Sequence, residues 1–204
     1  MRAQIRHSPA RLWCVVLAGG GSNRLGTPKQ LVRYKQQTLV ARAVAAATAV
    51  AATRVIVVLG AGALRLRLVL QRARQRAICV HNRRWQEGIA SSLGAGLEAL
   101  PKTARAALIV LTDQPRVDAR ALARLARAWR ERPGLPVVAT YSGGNGVPAI
   151  LPRRLWRRAA ALCGDVGARN LLRAEARLVH VAVPEAELDI DTTADLMKLP
   201  GSRN

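Results

Sequence analysis

The sequence predicts an α/β fold, in which a mostly parallel β-sheet carries helices on both faces. Short apolar runs alternate with longer, alanine-rich amphipathic runs along the chain, as expected for parallel strands joined by helices. The apolar runs are rich in Val, Ile and Leu, which is typical of strands buried on both sides. No internal repeat or long linker interrupts the alternation. We therefore expect one three-layer, Rossmann-like domain over residues 11–200, with flexible ends at 1–10 and 201–204.

The individual elements follow from the same periodicity. Strands are predicted at residues 12–17, 54–59, 77–81, 106–112, 137–141, 147–151 and 178–183. Helices are predicted at residues 38–51, 63–74, 86–100, 118–130, 155–162 and 168–174, and from about 192 onward. Thr38 and Asp118 are suited to cap the helices that they begin. In such sheets ligands bind at the carboxyl ends of the strands, so the segments after residues 17, 59, 81 and 111 are the expected site.

Composition narrows the classes of function. The chain has 33 Lys and Arg against 12 Asp and Glu, a net charge of +21, which indicates a solvated basic surface and is compatible with anionic substrates. No nucleic-acid-binding module or interleaved aromatic residues accompany this charge, so a nucleic-acid partner is not expected. No apolar run is long enough to span a membrane, and residues 1–18 do not resemble a secretory signal. The 3 cysteines show no metal-ligand spacing and fit a reducing cytoplasm, the expected location.

A glycine-rich loop at residues 18–29 follows the first strand. Consecutive glycines let backbone N–H groups approach an anion, and Arg24 and Lys29 can neutralise phosphates. A Walker loop is a poor fit, because two residues separate Gly26 from the lysine. A dinucleotide loop is also a poor fit, because Arg24 stands where its third glycine belongs. That loop also needs an acid after the second strand, and residues 1–86 contain no Asp or Glu.

The stretch 17–29 matches the signature LAxGxSxRxGxxK at each fixed position, and residues 28–31 read PKQL. It resembles the nucleotidyltransferases with a glycosyltransferase-A-like fold (nucleotide-diphospho-sugar transferase-like), and among them the molybdenum cofactor cytidylyltransferases. The resemblance implies that eight residues of this stretch bind the nucleotide: Leu17, Ala18, Gly19, Gly20, Gly21, Ser22, Arg24 and Lys29. It also implies catalytic roles for Arg24, Lys29 and Asp113.

Two acidic segments are the candidate metal ligands. Asp113 ends the fourth strand within the sequence TDQP, and an acid buried there needs a cation or a hydrogen-bond donor. The tetrad resembles the family's magnesium-binding motif, whereas Asp118 is the better helix cap. The second ligand is expected from the sequence DIDT, with Asp191 preferred over Asp189. The alternative is that Asp191 or Thr192 only caps the last helix. The expected cofactor is Mg²⁺.

Three further motifs resemble the cytidylyltransferase branch and imply substrate-binding residues. They are NxxWxxGxxSS, GxxGxP and GDxGAR, and the residues implied are Asn82, Trp85, Gly88, Ser91, Ser92, Gly146, Pro148, Asp165 and Arg169. Trp85 is equally consistent with a core aromatic residue. Asp165 and Arg169 are equally consistent with a capped turn and a surface arginine.

The resemblance implies transfer of CMP from CTP to the phosphate of molybdenum-loaded molybdopterin. A molybdoenzyme or its chaperone is a possible further partner. Residues 17–20 read LAGG, as in the related guanylyltransferases, where the cytidylyl branch commonly has LAAG. Transfer of GMP, or transfer to another phosphorylated metabolite, is therefore a second hypothesis. A non-catalytic cofactor carrier or RNA-binding protein with the same fold is a hypothesis from another class.

Overall fold

The computed structural model describes residues 12–21, 28–142 and 144–198. The predicted site residues Ser22 and Arg24 lie outside these ranges, as do both ends predicted to be flexible. The strands are β1 (Leu12–Ala18), β2 (Arg33–Tyr34), β3 (Gln37–Thr38), β4 (Val55–Leu59), β5 (Ile78–His81), β6 (Ala106–Leu111), β7 (Val137–Tyr141), β8 (Gly144–Pro152) and β9 (Val179–Ala182). The helices are α1 (Leu39–Ala51), α2 (Ala63–Arg72), α3 (Ile89–Glu98), α4 (Ala119–Glu131), α5 (Trp156–Ala160), α6 (Ala168–Arg173) and α7 (Thr193–Met197).

The elements differ from the prediction in three places. The helix expected at 86–100 is broken at Gly88, whose φ of 98° is outside the helical range, so a 3₁₀ turn precedes α3. The helix expected at 155–162 is likewise a 3₁₀ turn followed by the short α5. The hairpin of β2 and β3 was not predicted. Its turn residues Lys35 and Gln36 adopt positive φ without the glycine or asparagine that usually marks such a turn.

Seven strands form one sheet in the order β5-β4-β1-β6-β8-β7-β9. β1 pairs in parallel with β4 and β6, β4 with β5, and β7 with β9. Among the described strands of this sheet, β8 alone runs antiparallel to its neighbours, β6 and β7. The mostly parallel sheet predicted from the alternating pattern is therefore confirmed.

Helices cover both faces of this sheet. Alternate side chains of β1 point to opposite faces, so Cys14 and Val16 pack with α1, α2 and α4. Val15 and Leu17 pack with α3, α5 and α6 on the other face. The four side chains are almost completely buried, as the unbroken apolar sequence of the strand predicts. The result is the expected three-layer arrangement.

The parallel strands β1, β4, β5 and β6 end at one edge of the sheet. Because β8 is antiparallel to β6, the beginning of β8 reaches the same edge, with Ala149 opposite Ile109. The segments that follow these strands therefore meet there. Within the described residues, no helix is long and apolar enough to cross a membrane.

Candidate active site

Five polar residues are buried in the part of the chain that the structure describes. All five lie at or beside the carboxyl edge of the sheet, and they are Gln30, Asn82, Ser92, Thr112 and Gln114. Burying a polar side chain is costly unless its hydrogen bonds are made, so such residues are kept for a structural or functional reason. Their concentration at one edge marks this region independently of any sequence motif.

The glycine loop begins where β1 ends. The Gln30 side-chain amide donates to the carbonyl oxygens of Gly20 at 2.7 Å and Ala18 at 3.3 Å. The carbonyl of Gly19 accepts from the backbone N–H of Ala61 at 3.2 Å. Three successive carbonyls of the loop are thus fixed by hydrogen bonds. Ser22 and Arg24 of the same predicted loop lie outside the described residues.

Two glycines permit close packing between this loop and its neighbours. A Cβ atom on Gly19 would lie 2.6 Å from Ser92 Oγ. A Cβ atom on Gly60, after β4, would lie 2.4 Å from the Gly19 carbonyl oxygen and 2.6 Å from Trp85 Cβ. Trp85 is half-buried, so it is neither a core residue nor a fully exposed one. Its position against Gly60 places it beside the glycine loop.

Lys29 brings the two predicted metal ligands together. Its Nζ lies 2.6 Å from Asp113 Oδ2 and 3.1 Å from Asp191 Oδ1. The Lys29 and Asp113 side chains are each 17% exposed and Asp191 is 47% exposed, so the group opens to solvent on the Asp191 side. Burial works against the charged lysine, but the two carboxylates outweigh it and raise the pKa of Lys29. The lysine therefore stays charged at neutral pH.

The backbone joins the two acidic segments, although Asp113 and Asp191 are 78 positions apart in sequence. The Ile190 N–H donates to the Asp113 carbonyl oxygen at 2.9 Å. Beside it, Gln114 Nε2 donates to the carbonyl oxygens of Val147 at 3.0 Å and Ala186 at 3.1 Å. Gln114 thus ties the end of β6 to β8 and to the segment that leads to Asp191.

Asp113 retains coordination capacity that its neighbours do not use. Its Oδ1 is buried and has no hydrogen-bond partner among the described residues. Asp189 lies close by, because it precedes Ile190, whose N–H donates to the Asp113 carbonyl oxygen. Its own burial and then the Asp113 carboxylate raise the pKa of Asp189 to about 6. The Gln114 hydrogen bond and Lys29 act in the opposite direction on that pKa. Both acids of the DIDT segment therefore lie near Asp113, and Asp191 is the one in contact with Lys29.

The last helix is capped by Thr192 and not by Asp191. Thr192 Oγ1 accepts from the Asp195 N–H at 3.4 Å, and Asp195 Oδ2 accepts from the Thr192 N–H at 2.9 Å. This reciprocal capping box satisfies the first turn of α7. Similarly, Asp118 caps α4 through the N–H of Ala121. The side chains of Asp113 and Asp191 are thus not used as helix caps.

The NxxWxxGxxSS motif forms a hydrogen-bonded network beside the loop. Asn82 Nδ2 donates to Ser91 Oγ at 2.9 Å and Ser92 Oγ at 3.1 Å. Ser91 Oγ lies 2.8 Å from the carbonyl oxygens of both Arg84 and Gly88, so its one O–H donates to one of them at a time. Asn82 Oδ1 accepts from the Arg84 N–H. These polar groups bond to one another, which positions the start of α3 against Gly19.

Gly88 brings the GDxGAR segment against the start of α3. A Cβ atom on Gly88 would lie 2.3 Å from the Gly164 carbonyl carbon, and the Ala90 N–H donates to the Gly164 carbonyl oxygen at 3.1 Å. A cavity of about 300 Å³ lies next to this contact. Its walls include Asp165, Arg169 and the apolar side chains at the ends of β1 and β6.

The GxxGxP motif lies on the other side of Arg169. Arg169 Nη2 donates to the Tyr141 hydroxyl at 3.1 Å, and a Cβ on Gly146 would lie 2.4 Å from that hydroxyl. The peptide bond between Val147 and Pro148 is cis. The first glycine of the motif, Gly143, lies outside the described residues. Arg169 is thus an exposed arginine whose guanidinium is held over Gly146 by the Tyr141 hydroxyl.

Two buried glutamines were not assigned a role from the sequence. Gln30 lies in the PKQL run and Gln114 in the TDQP run, but neither motif indicates what its glutamine side chain contacts. Glutamine is usually exposed, and a single sequence gives no signal that these two point inward. Only the backbone carbonyls that they contact reveal their function in the fold.

The fold and the site together define a class of protein. A glycine loop after the first strand of a mostly parallel sheet, at the edge that also holds a lysine between two carboxylates, is suited to bind the phosphates of a nucleotide. The family model described as MobA-like NTP transferase domain matches residues 14–181. The chain therefore belongs to the MobA-like NTP transferase family, and it is a nucleotidyltransferase of that type.

Solved structures agree with this assignment. Rv0371c from Mycobacterium tuberculosis H37Rv has a TM-score of 0.82 and 30% identity, over 94% of this chain and 98% of that chain. The manganese complex of Rv0371C from the same organism has a TM-score of 0.76 and 26% identity, over 95% of this chain and 100% of that chain. Molybdopterin-guanine dinucleotide biosynthesis protein A from Archaeoglobus fulgidus is 15% identical, with a TM-score of 0.63 over 91% and 95%, and shares the fold. No curated protein sequence matches significantly.

Proposed function

We propose that this protein transfers CMP from CTP to the phosphate of molybdenum-loaded molybdopterin and releases pyrophosphate. The observation that carries the proposal is the Lys29 ammonium held between Asp113 and Asp191, beside a glycine loop with fixed carbonyls. Phosphoryl-type transfer depends mostly on positioning and on charge stabilisation, and this arrangement supplies both. No protein nucleophile is needed.

The chain's own groups bind the triphosphate. The backbone N–H groups of Gly19 to Gly21 donate to phosphate oxygens, and Arg24 and Lys29 neutralise their charge. An oxygen of the acceptor phosphate attacks the α-phosphorus and forms the new P–O bond. The α–β anhydride bond breaks, and its electron pair leaves with pyrophosphate. The contacts of the Lys29 ammonium with Asp113 and Asp191 orient it.

Asp113 and Asp191 fit a divalent cation. The buried Oδ1 of Asp113 has no hydrogen-bond partner within residues 12–21, 28–142 and 144–198 and is suited to a metal ligand. No three acidic, histidine or cysteine side chains in those residues form a ready metal cage, and substrate phosphates and water would complete the coordination. When bound, Mg²⁺ withdraws charge from the α-phosphate. The manganese complex of the M. tuberculosis relative supports a divalent ion here.

The acceptor is proposed to bind on the side of the cavity near α6. Asp165 and Arg169 line this cavity of about 300 Å³, and its apolar floor is suited to a ring system. Gly88, Gly146 and Pro148 shape the surrounding loops. The contribution of Asn82, Ser91 and Ser92 is proposed to be indirect, because their polar groups bond within the protein.

GMP transfer is the second candidate, because residues 17–20 read LAGG as in the guanylyl branch. LAGG and LAAG differ at position 19, where a Cβ would lie 2.6 Å from Ser92 Oγ. Glycine at this position thus has a packing reason of its own. The runs PKQL, TDQP and GDVGAR favour cytidylyl transfer, so CTP remains the first choice.

The test is pyrophosphate release with molybdenum-loaded molybdopterin, Mg²⁺ or Mn²⁺, and each of the four NTPs in turn. We expect release with CTP, and expect Asp113→Asn to abolish it while Glu131→Gln, an exposed acid on α4, does not. A preference for GTP would overturn the cytidylyl assignment alone. Silence with all four NTPs from folded protein would overturn the proposed activity.

A further inference from the structure

We propose that Gln30 is the positioning residue of the phosphate loop, orienting the backbone N–H groups of Gly19 and Gly21 toward bound phosphate. This inference rests on the proposed function, and it gives a role to a residue for which the sequence motifs imply none. Gln30 is 1% exposed, so its carboxamide is removed from solvent and its hydrogen bonds are made within the protein. Its Nε2 donates to Gly20 O at 2.7 Å and to Ala18 O at 3.3 Å.

Peptide geometry converts these contacts into an orientation. A trans peptide unit is planar, so its N–H points opposite to its C=O. Fixing the Ala18 carbonyl on the Gln30 side therefore turns the Gly19 N–H to the other side of the loop. Fixing the Gly20 carbonyl does the same for the Gly21 N–H. One side-chain amide thus sets two of the donors that the phosphates need.

Among the residues that the structure describes, packing does not hold the tip of the loop in this way. Gly20 is exposed, and a Cβ atom placed on it would meet no atom within 4 Å. Gly19 is different, because Ser92 and the Ala61 N–H hold it from the other side. Glycine peptides turn easily, so an unbraced tip would sample several orientations before phosphate binds. Gln30 removes that freedom in advance, which is how preorganisation raises affinity.

The same 3₁₀ turn serves both halves of the site. Gln30 follows Lys29, whose ammonium reaches Asp113 and Asp191 while the Gln30 amide reaches the loop. Backbone hydrogen bonds close this turn, from Leu31 N–H to the Pro28 carbonyl at 2.9 Å and from the next N–H to the Lys29 carbonyl at 3.1 Å. A short rigid turn therefore fixes the spacing between the phosphate donors and the carboxylates.

The test compares Gln30→Met with Gln71→Met, a matched substitution at an exposed glutamine on α2. Binding of CTP and of inorganic tripolyphosphate is measured by calorimetry at about 0.15 M salt, which screens exposed arginines. Losing two hydrogen bonds predicts that Gln30→Met binds both probes about ten- to a hundredfold more weakly, by the same factor, while Gln71→Met binds like the wild type. Tripolyphosphate carries no base, so the result does not depend on whether CTP or GTP is the substrate.

The outcomes separate the two proposals. If the wild type binds and folded Gln30→Met binds equally well, the positioning role is wrong and the proposed function stands. A loss of unfolding free energy with unchanged affinity would show a structural role only and would also overturn the inference. If the wild type binds neither probe, the proposed function fails and this inference fails with it. A measurement on the wild type needs no variant: tripolyphosphate should shift the amide resonances of Gly19 and Gly21, and no shift in either overturns the proposal.

Discussion

Two glycines of α3, Gly94 and Gly96, are predicted to respond with opposite sign to the same substitution. Alanine is favoured over glycine inside a helix by about 0.5–1 kcal/mol, so propensity alone predicts a gain at both positions. The structure separates them. A Cβ atom on Gly94 would meet Ala160 Cα at 3.8 Å, an ordinary contact. A Cβ atom on Gly96 would lie 2.4 Å from Val15 Cγ1 and 2.9 Å from Val58 Cγ2.

The magnitude follows from these distances. Ordinary van der Waals contacts begin at 3.4 Å. In Gly96→Ala the new Cβ would be about 1.0 Å too close to Val15 Cγ1 and about 0.5 Å too close to Val58 Cγ2, and both valines are buried in central strands. Overpacking of this kind costs about 1–3 kcal/mol, which exceeds the propensity gain. We expect Gly94→Ala to raise the free energy of unfolding by about 0.5–1 kcal/mol and Gly96→Ala to lower it by about 1–2 kcal/mol.

Urea unfolding of both variants, with an unchanged dependence on denaturant, measures the difference. A double-mutant cycle identifies its cause. Val15→Ala removes the atom at 2.4 Å and leaves Val15 Cβ at 3.8 Å, so the double variant should be more stable than the sum of the single effects by about 1 kcal/mol. Equal effects at Gly94 and Gly96, or strict additivity with Val15→Ala, would refute the steric reasoning.

Three further outcomes are expected. Asp113→Ala should abolish turnover in the assay with NTPs while circular dichroism shows an intact fold, and full activity would contradict the proposed role of Asp113 as a metal ligand. Gly88→Ala should destabilise the protein by more than about 2 kcal/mol, because φ of 98° and a 2.3 Å backbone approach both exclude a Cβ, and a melting curve like that of the wild type would contradict this. For Glu175, partial burial opposes ionisation, but Arg154 and Arg158 outweigh it and lower its pKa. Because the pKa is lower in the folded state, the ionised Glu175 stabilises the fold at pH values above its unfolded-state pKa of about 4.3. This stabilisation is lost as the pH falls through the folded-state pKa. Glu175→Gln should therefore cost about 1 kcal/mol at pH 7 and almost nothing near pH 3, and an equal cost at both values would contradict the ion-pair explanation.

Much of the fold could be predicted from sequence because its signals are local. The apolar strand of Val15 and its neighbours, the cap at Thr38 and the alternation of strands and helices each depend on adjacent residues. The prediction failed where conformation depends on distant contacts. Gly88 adopts its positive φ where it packs against Gly164, 76 positions further along the chain. The helical periodicity of the sequence continues through Gly88, so it wrongly predicts one long helix.

The sequence by itself predicted a phosphate-binding loop and the candidate acids, and it determined the class of chemistry, because these depend on residue types at fixed spacing. Only the tertiary structure decided which groups meet. It placed the Lys29 ammonium between Asp113 and Asp191, gave the cap of the last helix to Thr192, and turned Gln30 inward onto the loop. The physical reason is that a parallel sheet brings together the ends of strands far apart in sequence. The roles of the Lys29 ammonium and of the buried Gln30 amide depend on the groups that they contact at this edge of the sheet.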